Sequence, residues 1–244
     1  MNLNNKIIFL TGAGKGIGRN LYESFLKSGS YVYALTRSKS DLKKISSFEK
    51  KNSSIFYGDV RNFDLIKKIF DLSIKKKKLI NGVINNAGIT GLNSHFGPQD
   101  PEYASLESWD FIHSVNADSV FLGCREAIRV MKKTGGGSIV NMSSRSGIVG
   151  LPGMAAYASS KASIRNHTKS VALYCAQQRY NIRCNSIHPA SILTPIWNAM
   201  FGEGEEYTQH IKEMARKIPL GRMGESEEAA RWVCHLLGPD SDFM

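Results

Sequence analysis

Thr11-Gly12-Ala13-Gly14-Lys15-Gly16-Ile17-Gly18 is the stretch on which the fold turns. It follows an apolar run at 6–11 and leads into an amphipathic segment near 17–28. Glycines there let the backbone turn sharply and let a ligand approach closely. The helix that follows offers free N–H groups and the positive end of its dipole. An anionic pyrophosphate suits that place, so Gly12, Gly14, Lys15, Gly16, Ile17 and Gly18 are candidate dinucleotide ligands. A Gly-rich run alone is weak evidence, but one set between a strand and a helix is stronger.

Working outward, short apolar runs alternate with longer amphipathic ones. Strands are expected at 6–11, 31–35, 54–58, 79–85, 137–143 and 181–188. Their apolar stretches are nearly continuous, as in a parallel sheet covered on both faces. Helices are expected near 17–28, 39–50, 62–76, 108–133, 156–178, 205–217 and 225–237. This order predicts an α/β fold with a doubly wound parallel sheet of the Rossmann type, a single domain over 1–244. Residues 89–107, with Gly91, Gly97, Pro98 and Pro101, read as a loop after the fourth strand. Residues 190–208 carry Trp197, Met200, Phe201 and Tyr207 in an irregular stretch. They read equally as a substrate lid and as a helix pair packed on the core.

The net charge is +11, so nucleic acid has to be considered. The densest run, Lys75-Lys76-Lys77-Lys78, falls at an expected helix end, where cations oppose the dipole. No aromatic residues interleave with it, and no nucleic-acid partner is expected. No apolar stretch reaches the roughly 18 residues of a membrane span, and nothing resembles a signal peptide, so a cytoplasmic location is expected. Cys124, Cys175, Cys184 and Cys234 lack metal or redox spacing and read as buried free thiols. The histidines form no ligand pattern, so no metal is expected.

The second strand ends Leu35-Thr36-Arg37. A carboxylate there would bind the ribose 2′-hydroxyl of NAD, but Thr36 is neutral and Arg37 cationic. Arg37, with Lys15, suits a 2′-phosphate through charge-assisted hydrogen bonds. NADP(H) is therefore the expected cofactor, with NAD(H) also admitted.

With these motifs the chain resembles the short-chain dehydrogenase/reductase family along nearly its whole length. The match comprises the Thr11 to Gly18 turn, Asp59 after the third strand, Asn85-Asn86-Ala87-Gly88, Asn116, Ser144, and Tyr157 four residues before Lys161. The resemblance implies a ketone–secondary alcohol oxidoreductase with a small carbonyl or alcohol substrate. It implies that Asp59 and Val60 meet adenine, that Asn86, Ala87 and Gly88 line the cofactor, and that Pro189, Ile192 and Thr194 hold the carboxamide end. Tyr157 would be the general acid and base, and Ser144 would hold the substrate oxygen. Lys161 would bind the nicotinamide ribose, and Asn116 would orient a water joining Lys161 to solvent. On one helix Tyr157 and Lys161 share a face, and the ammonium together with the positive nicotinamide of oxidised cofactor is expected to lower the tyrosine pKa from about 10.

Within the family the chain looks most like secondary-alcohol, cyclic-alcohol and hydroxysteroid dehydrogenases. A 3-oxoacyl-carrier-protein reductase and a non-catalytic dinucleotide-binding scaffold or redox sensor are the alternatives. Two features depart from the family pattern. Pro189-Ala190 stands where Pro-Gly is usual, and the expected TGxxxxVDGG strand does not follow Leu237. A homo-tetramer or homo-dimer is implied, and an uncovered sheet edge is expected where that strand would pair.

Overall fold

The computed structural model describes residues 3–46, 52–92, 95–202 and 204–244. Strands β1 (Ile7–Thr11), β2 (Tyr31–Thr36), β3 (Ser53–Tyr57), β4 (Gly82–Asn85), β5 (Gly137–Met142) and β6 (Ile182–Ile187) form one sheet, in the order β3-β2-β1-β4-β5-β6. All pairings are parallel. Around them run α1 (Gly16–Lys27), α2 (Lys39–Ser46), α3 (Phe63–Lys75), α4 (Leu106–His113), α5 (Ser119–Met131), α6 (Ala155–Gln177), α7 (Asn198–Phe201), α8 (Glu205–Arg216) and α9 (Ser226–Leu237). This is the expected doubly wound sheet. No helix of the described residues is long and apolar enough to cross a membrane.

Alternate strand residues feed two cores. Phe9, Tyr33, Val83 and Ile139 face Ile66, Phe70, Val120, Ala127 and Val171, on the side of α3, α5 and α6. Ile8, Leu10, Val32, Ile84 and Val140 face Leu21, Phe25, Val233 and Leu237, on the side of α1 and α9. Burial on both faces explains why the strands read as continuous apolar runs rather than alternating ones. All four cysteines are buried free thiols.

The expectations hold closely, with four differences. The fourth strand begins at Gly82 rather than 79, because the Asn81 side chain, not a carbonyl, accepts the Ile7 amide at 3.0 Å. The helix expected near 39–50 is seen over Lys39–Ser46, and residues 47–50 lie outside the described ones. The helix expected near 108–133 is broken by a π-helical turn, Ser114–Asp118, between α4 and α5. In the lysine run, α3 ends at Lys75 and Lys77 turns at φ 54°, which brings Lys78 Nζ 3.4 Å from the Tyr31 ring centroid. That ammonium caps a ring rather than standing free in water.

Among the described residues β6 pairs only with β5. The residues after α9 lie beside β6 without adding a strand. Arg183 donates to the carbonyls of Leu236 (3.0 Å) and Gly238 (3.4 Å), and Asn185 Nδ2 to that of Met244 (3.1 Å). These side-chain bonds hold the residues after α9 against β6, while among the described residues no strand pairs with its outer edge.

A buried polar row ties the sheet to α6. Asn85 Nδ2 donates to Asn141 Oδ1 (2.8 Å), and Asn141 Nδ2 to Thr168 Oγ1 (2.9 Å). Gly123 of α5 leaves room for this row, because a methyl group there would run into the Asn85 side chain. Gly123→Ala should therefore overpack the site by about 1–3 kcal/mol. That corresponds to a melting temperature lower by roughly 2–4 °C per kcal/mol. Thermal unfolding checks this, and an unchanged midpoint would show that the row can shift without cost.

Candidate active site

Every strand is parallel, so the loops after all six strands gather at one sheet edge. A cavity of about 960 Å³ opens there. It is lined by Gly12, Gly14, Lys15, Gly16, Ile17 and Gly18 after β1, by Thr36 and Arg37 at the end of β2, and by Asp59 and Val60 after β3. Asn86, Ala87 and Gly88 follow β4, Ser144 follows β5, and Pro189, Ile192 and Thr194 follow β6. Tyr157 and Lys161 of α6 complete the wall. Of the candidate residues, only Asn116 lies behind the cavity rather than on it, and it is fully buried.

The Gly-rich turn is stapled to the end of β4. Thr11 Oγ1 accepts from the amides of Asn86 (3.0 Å) and Ala87 (3.1 Å). Asn86 Nδ2 in turn donates to the carbonyls of Thr11 (3.0 Å) and Gly12 (3.2 Å). Gly12 has φ +68°, and a Cβ on it would lie 2.9 Å from Asn86 Nδ2. The first turn of α1 has no capping side chain and no acidic residue. Its amides are therefore free for an anion, which fits a dinucleotide pyrophosphate.

At the end of β2, Thr36 is buried and Arg37 exposed. Asp59 is gripped by Arg61 through Nε (3.1 Å) and Nη2 (2.9 Å). Burial works against the Asp59 carboxylate, but the Arg61 hydrogen bonds outweigh it and hold the pKa below its ordinary value.

At the other end, Ser144 leads a short 3-10 turn, with Oγ accepting from Ser146 N at 3.1 Å. Tyr157 lies in the first turn of α6, whose start is fixed by a hydrogen bond from Ala155 N to the Gln99 carbonyl at 2.9 Å. Burial pushes the Tyr157 phenol above its ordinary pKa, while a hydrogen bond with Ser144 pulls it the other way. The lowering expected from Lys161 is thus not what the chain alone produces. Lys161 Nζ stands 5.8 Å from the Tyr157 ring centroid and donates to the Met142 carbonyl at 2.9 Å.

Asn116 sits in the π-helical turn. Its Oδ1 accepts from Ile89 N, and its Nδ2 donates to Ile89 O and Ser160 Oγ, each at 2.9 Å. Gly88 separates it from Lys161: a Cβ there would lie 3.1 Å from Lys161 Nζ and 3.2 Å from Asn116 Oδ1. Extra-wide helical turns of this kind are frequent at functional sites.

Some lining residues escaped the sequence reading. Phe96, Leu151, Met154 and Met214 line the cavity, as does Asp41 of α2. The segment 190–208 does reach the cavity, through Ile192, Thr194, Trp197 and Met200. Its Glu203 lies outside the described residues, as do Asn93 and Ser94 of the loop 89–107. Gln99 also gave no signal, being one polar residue in a Gly/Pro-rich loop, yet it is buried and accepts from Ser108 Oγ at 2.9 Å.

Lys161 is costly to the fold. Burial lowers its pKa from 10.5 to about 8. A shift of that size corresponds to a penalty on the order of 3 kcal/mol on the charged form. The native chain releases this proton near pH 8 and the unfolded chain near 10.5, so this contribution to stability rises with pH between those values. Lys161→Met loses the charge-assisted bond to the Met142 carbonyl, worth about 1.5–3 kcal/mol, but removes the buried charge. It should melt a few degrees above the parent at pH 7, and its advantage should shrink by pH 10. A lower melting temperature at pH 7 would show that the ammonium is stabilised where it lies.

A family model described as enoyl-(acyl carrier protein) reductase matches residues 12–244. The chain is 36% identical over 247 residues to the NADP-dependent (R)-specific alcohol dehydrogenase of Lentilactobacillus kefiri, covering 98% of this chain and 91% of that protein. It is 33% identical over 257 residues to the 3-oxoacyl-[acyl-carrier-protein] reductase of Thermotoga maritima, covering 100% and 95%. The structure of ligand-free aldohexose dehydrogenase from Thermoplasma acidophilum matches with a TM-score of 0.87 at 30% identity, over 99% of this chain and 90% of that one. The chain belongs to the short-chain dehydrogenase/reductase family and is an oxidoreductase of CH–OH groups.

Proposed function

We propose that this chain interconverts a ketone and a secondary alcohol, with NADP(H) as its preferred cofactor and Tyr157 as general acid and base. The observation that carries the reading is the meeting, in one cavity, of Ser144, Tyr157 and Lys161 with a Gly-rich turn whose helix amides are uncapped.

The bound nicotinamide supplies the hydride chemistry. The chain's own groups handle the proton and the oxygen. In reduction Tyr157 gives its phenolic proton to the carbonyl oxygen, and in oxidation it takes the proton back. Ser144, which lines the same cavity and lowers the Tyr157 pKa, holds the substrate oxygen beside it. Burial raises the Tyr157 pKa, so the phenol is a proton donor rather than a phenolate in the chain by itself. Lys161 offers its ammonium to the ribose hydroxyls, and Asn116 sits beside Gly88 in line for a proton path. Leu151, Met154, Trp197, Met200 and Met214 give the substrate end an apolar wall, which favours an uncharged ketone with apolar substituents.

Tyr157→Phe keeps the ring and loses the transferable proton. Turnover of a ketone panel should fall about 10²–10⁴-fold while dinucleotide binding stays within twofold. Near-normal turnover by that variant would remove Tyr157 from its role. A parent chain that binds cofactor but reduces no ketone would point to a scaffold instead.

Arg37→Ser tests the cofactor preference. Loss of a charge-assisted hydrogen bond of about 1.5–3 kcal/mol should weaken NADPH roughly ten- to hundredfold and leave NADH unchanged. Calorimetric titration of both dinucleotides decides it, and equal affinities before and after the change would end the argument for a 2′-phosphate site at Arg37.

A further inference from the structure

The adenosine end of the cavity also holds a carboxylate. Asp41 stands in the first turn of α2, and it lines the same cavity as Lys15, Thr36 and Arg37. Its side chain lies over the Gly-rich turn. A Cβ built on Gly14 would collide with Asp41 Cβ and would lie 3.0 Å from its Cγ and 2.9 Å from Thr36 Oγ1. Gly14 is thus what lets the Asp41 carboxyl group come against the end of β2.

The backbone and side chain of Asp41 are engaged differently. The amide donates to Ser38 Oγ at 3.1 Å. The carboxylate makes no hydrogen bond or ion pair with any described residue. It is half-buried, faces the cavity, and shares that wall with two cations, Lys15 and Arg37, that are exposed.

We infer that Asp41 is a cofactor-selectivity residue: from α2 it supplies the acceptor for a ribose 2′-hydroxyl that Thr36 does not provide. The inference rests on the dinucleotide reading of this cavity. A carboxylate accepts a hydroxyl hydrogen bond well and repels a phosphate dianion. Asp41 therefore opposes the selection that Arg37 and Lys15 make, and the chain accepts both dinucleotides with a modest preference. An acidic residue in a first helical turn also stabilises the helix through its dipole. That role alone would change melting temperature and leave the ratio of the two affinities untouched.

The test is calorimetric titration of NADPH and NADH into the parent chain, Asp41→Asn and Asp41→Ser, with melting temperatures measured alongside. In both variants the NADPH-to-NADH affinity ratio should rise at least tenfold, mainly by tighter NADPH binding. The serine variant serves if the asparagine one does not fold. A ratio within twofold of the parent overturns the inference, and so does failure of both variants to fold, which would assign Asp41 to the helix itself. A parent chain that prefers NADH would end the NADP(H) reading, yet a tenfold shift on replacing Asp41 would still support this one. The two outcomes are therefore separable.

Discussion

Strand β1 hydrogen-bonds in parallel to β2 on one side and to β4 on the other, and everything functional in this chain follows from that shared strand. From β1 the chain leaves over one face, through α1, to reach β2. From β3 it returns across the other face, through α3, to reach β4. The two crossovers diverge at the carboxyl end of β1 and leave a crevice between them. Thr11, the last residue of β1, then ties the Gly-rich turn to Asn86 and Ala87 through its hydroxyl. The cavity is thus built from backbone topology first and from side chains second.

Into this frame the chain places groups that work against its own stability. Lys161 is fully buried and held by one backbone carbonyl, and the Tyr157 phenol is raised by its surroundings. Buried groups of this kind survive because the structure around them is over-determined. Here the reinforcement is visible in the Asn85–Asn141–Thr168 row, in the Gln99 carbonyl that starts α6, and in Asn116, which spends both amide groups on Ile89 and Ser160. The groups proposed to carry the chemistry are the ones the scaffold has to hold.

The two ends of the cavity differ in character. One part of the wall is charged: Lys15, Arg37, Asp41 and Asp59 all line the cavity, so cations and carboxylates would act there in opposite senses on an anionic ligand. Another part of the wall is apolar, with Met154, Met200 and Met214 among its residues. Thioether side chains adapt to varied shapes, which suits a range of apolar substrates more than one rigid pocket.

Local chemistry made much of this chain legible in the sequence. The Gly-rich turn, the continuous apolar runs and the Tyr157–Lys161 spacing each act through neighbours a few residues away, so sheet class, helix positions and most cavity residues could be read directly. What depends on distant packing could not. The π-helical turn around Asn116 arises from contacts with Ile89 and Ser160. The start of β4 is set by the side chain of Asn81, and Gln99 is buried by a loop whose composition suggests only exposure. Burial raises the Tyr157 pKa in the chain by itself, an effect the sequence did not show because spacing along a helix reports proximity but not burial. Asp41 reads as an ordinary first-turn acid until the fold lays it across Gly14. Sequence determines what each element is, and tertiary structure decides which charges lose their water and which partners they meet.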